Sequence, residues 1–228
     1  MPKRYGFLAQ SLSDYPGEVC SVVFIPGCNF HCPYCHNKTL ADDVQRDGLE
    51  LPAIEAYLQK ARKLISGVCI SGGESTLYPS DLMLLIERFK RLGLKVKVDT
   101  NGSHPEVVRL ISPLVDYIAM DLKTSLERYP QLVEPAEQSK LVANIKASIQ
   151  ALLQRAPSTY EFRTTLARDW VDEAALRNLG SLIHPSAYWY LQRCYSAQNK
   201  PETPQDGETI ERYLAIAKNY CNNVFFRP

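Results

Sequence analysis

The sequence predicts an α/β fold built on a parallel sheet, and three observations carry the prediction. Short runs rich in β-branched and aromatic residues alternate with longer stretches of helical periodicity. Strand followed by helix recurs about six times, which implies right-handed crossovers and a sheet either doubly wound or curled into part of a barrel. No internal repeat or low-complexity segment points instead to a solenoid.

The strands are expected at Ser21 to Pro26, Gly67 to Ser71, Lys95 to Asp99, Tyr117 to Asp121, Tyr160 to Thr165 and Tyr188 to Leu191. Each is short, mostly apolar and followed by turn or polar residues, the pattern of a strand buried on both faces. Helices are expected at about Pro52 to Ser66, Pro79 to Leu92, Pro105 to Leu110, Gln138 to Arg155, Glu173 to Ile183 and Thr209 to Asn219. In the second, Pro79 suits the first helical position, Leu82, Leu85, Ile86 and Phe89 make one apolar face, and Gly93 ends the helix. Ser196 to Glu208, with two prolines and no apolar period, reads as a long loop.

With 228 residues, 45% of them apolar and 22% charged, the composition excludes disorder and coiled coil. The reading is one domain over residues 1–228, with an N-terminal segment 1–20 and a polar loop and C-terminal helix over 196–228. Lys and Arg total 26 against 25 Asp and Glu, so no general charge excess marks a nucleic-acid or membrane-surface binder. Apolar stretches such as Val22 to Ile25 and Leu82 to Ile86 fall far short of the roughly 20 residues of a spanning helix. Met1 to Gln10 has no apolar core or cleavage site, so the expected location is the cytoplasm.

Three of the seven cysteines, Cys28, Cys32 and Cys35, crowd into eight residues directly after the first predicted strand. An odd, clustered set reads as metal ligands rather than a disulfide framework. Two readings stand at this point. A zinc site would need His31 or His36 as a fourth ligand, which strains so compact a loop. A 4Fe-4S cluster held by three thiolates leaves one iron open to bind something else. The remaining cysteines, Cys20, Cys69, Cys194 and Cys221, are scattered singly and read as buried thiols, and His104 and His184 as cap or loop residues.

The other unusual residues fall at strand ends, where parallel sheets collect their chemistry. Gly72, Gly73 and Glu74 follow the second strand, about 36 residues after the last clustered cysteine. Asp99, Thr100, Asn101 and Gly102 end the third, Asp121, Leu122 and Lys123 end the fourth, and Arg163 lies in the fifth. With Cys28 after the first strand, all five positions belong to one predicted rim. Each motif alone also reads as a turn or as an Asp capping the next helix.

The run C-x-x-x-C-x-x-C with Tyr34 before its last cysteine resembles the signature of the radical S-adenosylmethionine superfamily. That resemblance implies a partial (β/α)6 TIM-like barrel with Cys28, Cys32 and Cys35 on a 4Fe-4S cluster. S-adenosylmethionine would then be chelated to the open iron. It further implies that Tyr34 and the backbone to His36 contact the adenine. Gly72, Gly73 and Glu74 would hold the methionine ammonium group, although Ser75 stands where the family more often has proline. The D-T-N-G of Asp99 to Gly102 and the D-x-K of Asp121 to Lys123 resemble motifs of glycyl radical enzyme activating enzymes. There the aspartates bind a monovalent cation beside the S-adenosylmethionine carboxylate and the lysine helps hold the ligand.

By that resemblance the partner is a glycyl radical enzyme, and the electron donor a flavodoxin or ferredoxin. The opening of the chain through Asn37 is most similar to the activating group of anaerobic ribonucleoside-triphosphate reductases. Ser13 to Gly17 resembles a D-G-P-G segment facing the partner, or is a turn opening the first strand. After the fifth strand the pattern weakens: the histidine of a Q-P-F-H segment is missing at Leu191 to Tyr195, so Arg163 and Gln192 are site candidates with salt-bridge or capping alternatives. Two rival functions remain, a radical enzyme acting on a small molecule in the manner of deazapurine synthases, and a non-catalytic zinc-binding module.

Overall fold

Apolar runs bounded by Gly, Pro and Asp form strands at every position where the sequence predicts one. The computed structural model describes residues 4–41, 48–195 and 206–228. Its strands are β1 (Gly6–Ser11), β2 (Cys20–Ile25), β3 (Gly67–Gly72), β4 (Lys95–Thr100), β5 (Tyr117–Asp121), β6 (Tyr160–Thr165), β7 (Tyr188–Gln192) and β8 (Asn223–Arg227). The helices are α1 (Lys38–Ala41), α2 (Leu51–Ala61), α3 (Pro79–Arg91), α4 (Pro105–Ile111), α5 (Pro135–Leu153), α6 (Glu173–Gly180) and α7 (Gly207–Lys218). The sheet takes its strands in chain order, β1 to β8, with β1 and β8 at its two ends, so it is open. β1 runs antiparallel to β2, whereas β2 to β4 and β6 to β8 pair in parallel.

Contact density divides the chain into two compact units. The first comprises Met1–Asn29, Asn37–Thr100 and Arg109–Ile118. Its core is Val22, Ile25, Val68, Ile70, Val96 and Val98 from the sheet and Leu58, Leu82, Leu85 and Phe89 from α2 and α3, all fully buried. Pro79 opens α3 as predicted. Gly93, at φ +77°, closes it with the two backbone bonds of a Schellman cap, its own N–H to Lys90 and that of Leu94 to Phe89. The Ser13 to Gly17 stretch is a turn whose Tyr15 is buried against Cys20, Val22, Cys69 and Tyr117. The second unit comprises Phe30–His36, Asn101–Val108 and Ala119–Pro228, with Met120, Leu122, Tyr129, Ile145, Phe162, Trp189 and Leu191 fully buried.

The differences from the sequence reading are at edges and ends. β1 and β8 were not expected. β1 exposes or half-exposes Phe7 to Gln10 and carries a register shift between Leu8 and Ser11, which erases the apolar signal of an inner strand. α2 stops at Ala61 and α6 at Gly180, short of the predicted Ser66 and Ile183. α5 begins earlier, at Pro135. The predicted loop from Ser196 falls, over residues 196–205, outside the described residues. Its end is helical instead, because Asp206 accepts the Thr209 N–H at 2.7 Å and so caps α7 before Thr209.

Candidate cofactor site

In the first unit the Gly72–Glu74 loop is shaped by the backbone that leads into the cysteine loop. Gly73 N–H donates to Ile25 O at 3.0 Å and Glu74 N–H to Gly27 O at 2.7 Å. A Cβ at Gly72 would sit 2.1 Å from Ile25 O, and one at Gly73 would sit 2.0 Å from Gly27 O and 3.1 Å from Cys28 Cβ. The glycines are therefore required by strand-loop packing before any ligand is considered. The same approach sets Cys28 beside Gly73. Cys28 N–H in turn donates to Ala41 O at 3.1 Å, so α1 pins the start of the cysteine loop.

Glu74 is 1% exposed and caps the one-turn 3-10 helix Ser75–Leu77. Its Oε1 accepts from the Thr76 N–H at 3.0 Å, from the Thr76 hydroxyl and from the Thr100 hydroxyl at 2.7 Å. Ser75, the departure from the family's proline, donates its hydroxyl to Asp99 O at 2.7 Å, a bond proline lacks the hydroxyl to make. Asp99 accepts from Ser71 Oγ at 3.0 Å on Oδ2 and pairs through Oδ1 with Lys97, a side chain only 1% exposed. Lys97 is a functional candidate that sequence reasoning missed. The signal was the period-2 alternation of β4, which puts residues 95, 97 and 99 on one face.

In the second unit Asp121 is the hub. Its Oδ1 accepts from Arg163 Nε at 2.7 Å and its Oδ2 from Lys123 Nζ at 2.8 Å. Burial alone would raise the Asp121 carboxyl, but Arg163 and Lys123 outweigh it and hold the group well below the usual carboxylate range. Burial likewise works against the Lys123 ammonium, yet Asp121 overcomes it and holds the lysine firmly protonated. Tyr34 donates its hydroxyl to Lys123 O at 3.1 Å, and Lys123 N–H donates to the buried Tyr129 hydroxyl at 2.9 Å. The Tyr34 ring tilts against Trp170 with centroids 6.3 Å apart. Arg163, a site candidate from the sequence alongside Gln192, thus belongs with Asp121, Lys123 and Tyr34. Gln192 ends β7, where its carbonyl accepts the Leu166 N–H at 2.9 Å.

Asn101 is buried and its Oδ1 accepts the Ser103 N–H at 2.9 Å, so its side chain shapes the turn. Gly102 holds φ +78°, and a Cβ there would lie 2.1 Å from Met120 Cε. α5 grips the same turn, Ser148 Oγ donating to Gly102 O at 2.7 Å. His36 is exposed and takes no part in these networks, and His31 pairs with Glu134 on the surface at 3.3 Å. His104 ends the turn before α4, and His184 bonds Ser186 in a loop.

All seven cysteines stand outside disulfides; Cys28, Cys32 and Cys35 are half-exposed and the other four buried. Among the described residues no three His, Cys, Asp or Glu side chains form a ready-made metal cage. What fits a cluster is the donor set, three soft thiol ligands within one loop, with Cys35 N–H donating to Cys32 O at 3.0 Å inside it.

The fold is that of radical S-adenosylmethionine enzymes: a radical SAM methyltransferase from Sphaerobacter thermophilus superposes with a TM-score of 0.69 over 93% of this chain and 67% of its own, at 15% identity. The Radical SAM superfamily description matches residues 22–157, and the chain belongs to that superfamily. A protein of Methanocaldococcus jannaschii assigned to the glycyl-radical enzyme activating enzymes is 30% identical over 97% of this chain and 94% of its own. A 7-carboxy-7-deazaguanine synthase of Thermococcus kodakarensis is 28% identical over 67% of this chain and 70% of its own. The protein is thus an enzyme that uses a 4Fe-4S cluster and S-adenosylmethionine, which sets aside the zinc-binding module. Among the described residues no helix is long and apolar enough to cross a membrane.

Proposed function

We propose that this enzyme is an activase that installs a glycyl radical on a partner protein, with Cys28, Cys32 and Cys35 as the cluster ligands. The observation that carries the reading is the three-thiol loop directly after β2, in a chain similar over nearly its whole length to an activating enzyme. Cys28, Cys32 and Cys35 would hold the cluster, which together with S-adenosylmethionine would supply the one-electron reductive chemistry for removing the α-hydrogen of one glycine. Glycine suits such a target because its backbone radical has no side chain in the way.

The protein's own part is to bind and orient. Gly72, Gly73 and Glu74 would face the methionine ammonium group, with Glu74 held in place by Thr76 and Thr100. Lys123 and Arg163 place two positive charges on one carboxylate, and the surplus charge suits the S-adenosylmethionine carboxylate. Tyr34, fixed by Lys123 O, and the backbone to His36 would meet the adenine. Asp99, Thr100 and Asn101 complete the set, Asp99 and Thr100 through their bonds around Glu74 and Asn101 through the turn it shapes.

The partner is read as anaerobic ribonucleoside-triphosphate reductase, from the likeness of the opening of the chain through Asn37. The electron donor is read as a flavodoxin or ferredoxin, and the compartment as the reducing cytoplasm. A second reading, a deazapurine synthase-like enzyme, is favoured by the similarity to the Thermococcus kodakarensis synthase. The D-x-K motif and the longer match to the activating enzyme support the first. The test is anaerobic: the iron-loaded protein is reduced, S-adenosylmethionine is added, and 5'-deoxyadenosine is measured with and without the reductase. A glycyl radical signal in the reductase is the expected result. Cleavage with turnover of a deazapurine precursor and no protein radical would overturn it.

A further inference from the structure

The resemblance assigns a monovalent cation to Asp99 and Asp121, but each carboxylate already carries cations supplied by the chain. Asp99 Oδ1 pairs with Lys97 Nζ, its Oδ2 accepts from Ser71 Oγ at 3.0 Å, and its backbone carbonyl accepts from Ser75 Oγ at 2.7 Å. Lys97 is 1% exposed, and a buried ammonium persists only where a partner compensates it. Lys97 Nζ also lies 3.7 Å from the Cys69 thiol. Asp121 is bound on both oxygens, by Arg163 at 2.7 Å and by Lys123 at 2.8 Å. A metal cation arriving at either carboxylate would enter beside a fixed positive charge, and in a poorly solvated site that repulsion is large.

We propose that in this chain Lys97 takes the place of the monovalent cation at Asp99, as Lys123 and Arg163 do at Asp121, so that S-adenosylmethionine binds without a monovalent-cation requirement. The proposal rests on the cofactor assignment above and adds Lys97 as a positioning residue. Its effect is to hold Asp99 and, through Ser75, the loop that carries Glu74. A charge placed by a β-strand is permanent, whereas a bound cation depends on its concentration.

The experiment measures S-adenosylmethionine affinity on the anaerobic iron-loaded enzyme. It compares potassium, sodium and tetramethylammonium buffers of equal ionic strength, with the change in the reduced cluster's electron paramagnetic resonance spectrum as readout. The wild type is expected to vary by less than about twofold across the series, since only general screening changes. Lys97→Met is expected to lose about tenfold in affinity in tetramethylammonium and to recover with potassium, the gain or loss of about one charge-assisted contact. Lys97→Arg is expected to keep the cation-independent behaviour. If Lys97→Met does not fold, the wild-type series still decides. A saturable potassium or sodium requirement of about tenfold or more in the wild type would overturn the proposal while leaving the cofactor assignment intact. Absence of S-adenosylmethionine binding in every buffer would overturn both.

Discussion

Thr100 donates its hydroxyl to Glu74 Oε1 at 2.7 Å, joining the end of β4 to the loop after β3 through a carboxylate that is 1% exposed. A buried carboxylate keeps its position only while its donors remain. Thr100→Val preserves shape and removes one of the donors to that oxygen. It is expected to cost about 1–3 kcal/mol in stability. It is also expected to weaken S-adenosylmethionine binding through the displaced loop. Urea unfolding checks the first and equilibrium binding the second; unchanged affinity would remove Glu74 from the proposed ligand set.

Gly73→Ala tests the backbone approach that brings the motif against the cysteine loop. Its Cβ would lie 2.0 Å from a main-chain oxygen, which has no rotamer by which to move away. The expected loss is more than about 3 kcal/mol, together with loss of iron binding. Gly93→Ala is the control, because nothing lies within 4 Å of its added Cβ and only the left-handed φ of +77° is strained. About 1 kcal/mol and full iron loading are expected there.

Cys28→Ala, Cys32→Ala and Cys35→Ala are each expected to abolish cluster loading, with the circular dichroism of the fold retained. Cys194→Ala, a buried thiol on the chain's other half, is expected to keep about four irons per chain. Iron and sulfide assays after anaerobic reconstitution separate the two groups. Full iron loading of any of the first three variants would break the proposed ligand set.

The Asp121 hub predicts a pH dependence of stability. Its carboxyl is lowered in the folded state by Arg163 and Lys123. The stabilisation is therefore present above the ordinary carboxylate pKa of about 4 and lost as pH falls through the lower folded value. Arg163→Met removes one of the two cations. The gap in melting temperature between wild type and Arg163→Met should be widest near neutrality and narrow under acid. A gap that stayed constant down to strong acid would show that Arg163 acts through packing alone.

Much of this was legible in the linear pattern, and the reasons are local. Tyr117 to Asp121 and Tyr160 to Thr165 match the observed strands residue for residue, since short apolar runs between turn residues suit buried parallel strands. The cysteine spacing and the position of Gly72 to Glu74 behind a strand were equally visible. β8 was not: along Asn223 to Arg227 only Val224 is buried, which blurs the apolar signal of an inner strand. The resemblance implies that the glycines at 72 and 73 help hold the methionine ammonium group. The structure adds a prior demand, the carbonyls of Ile25 and Gly27.

Residue order alone accounts for the α/β alternation, the three-thiol loop and which strand ends carry acidic and basic residues. Each of these is set by periodicity or spacing over a few neighbouring residues. Which side chains pair follows from packing between segments distant in the chain. Asp121 meets Arg163 from 42 positions away, Glu74 meets Thr100 from 26, and Asp99 is held from β3 by Ser71 as well as by Lys97 on its own strand. Charge pairing follows from distance and burial, which pack remote segments together, and neither is written in the local order of residues.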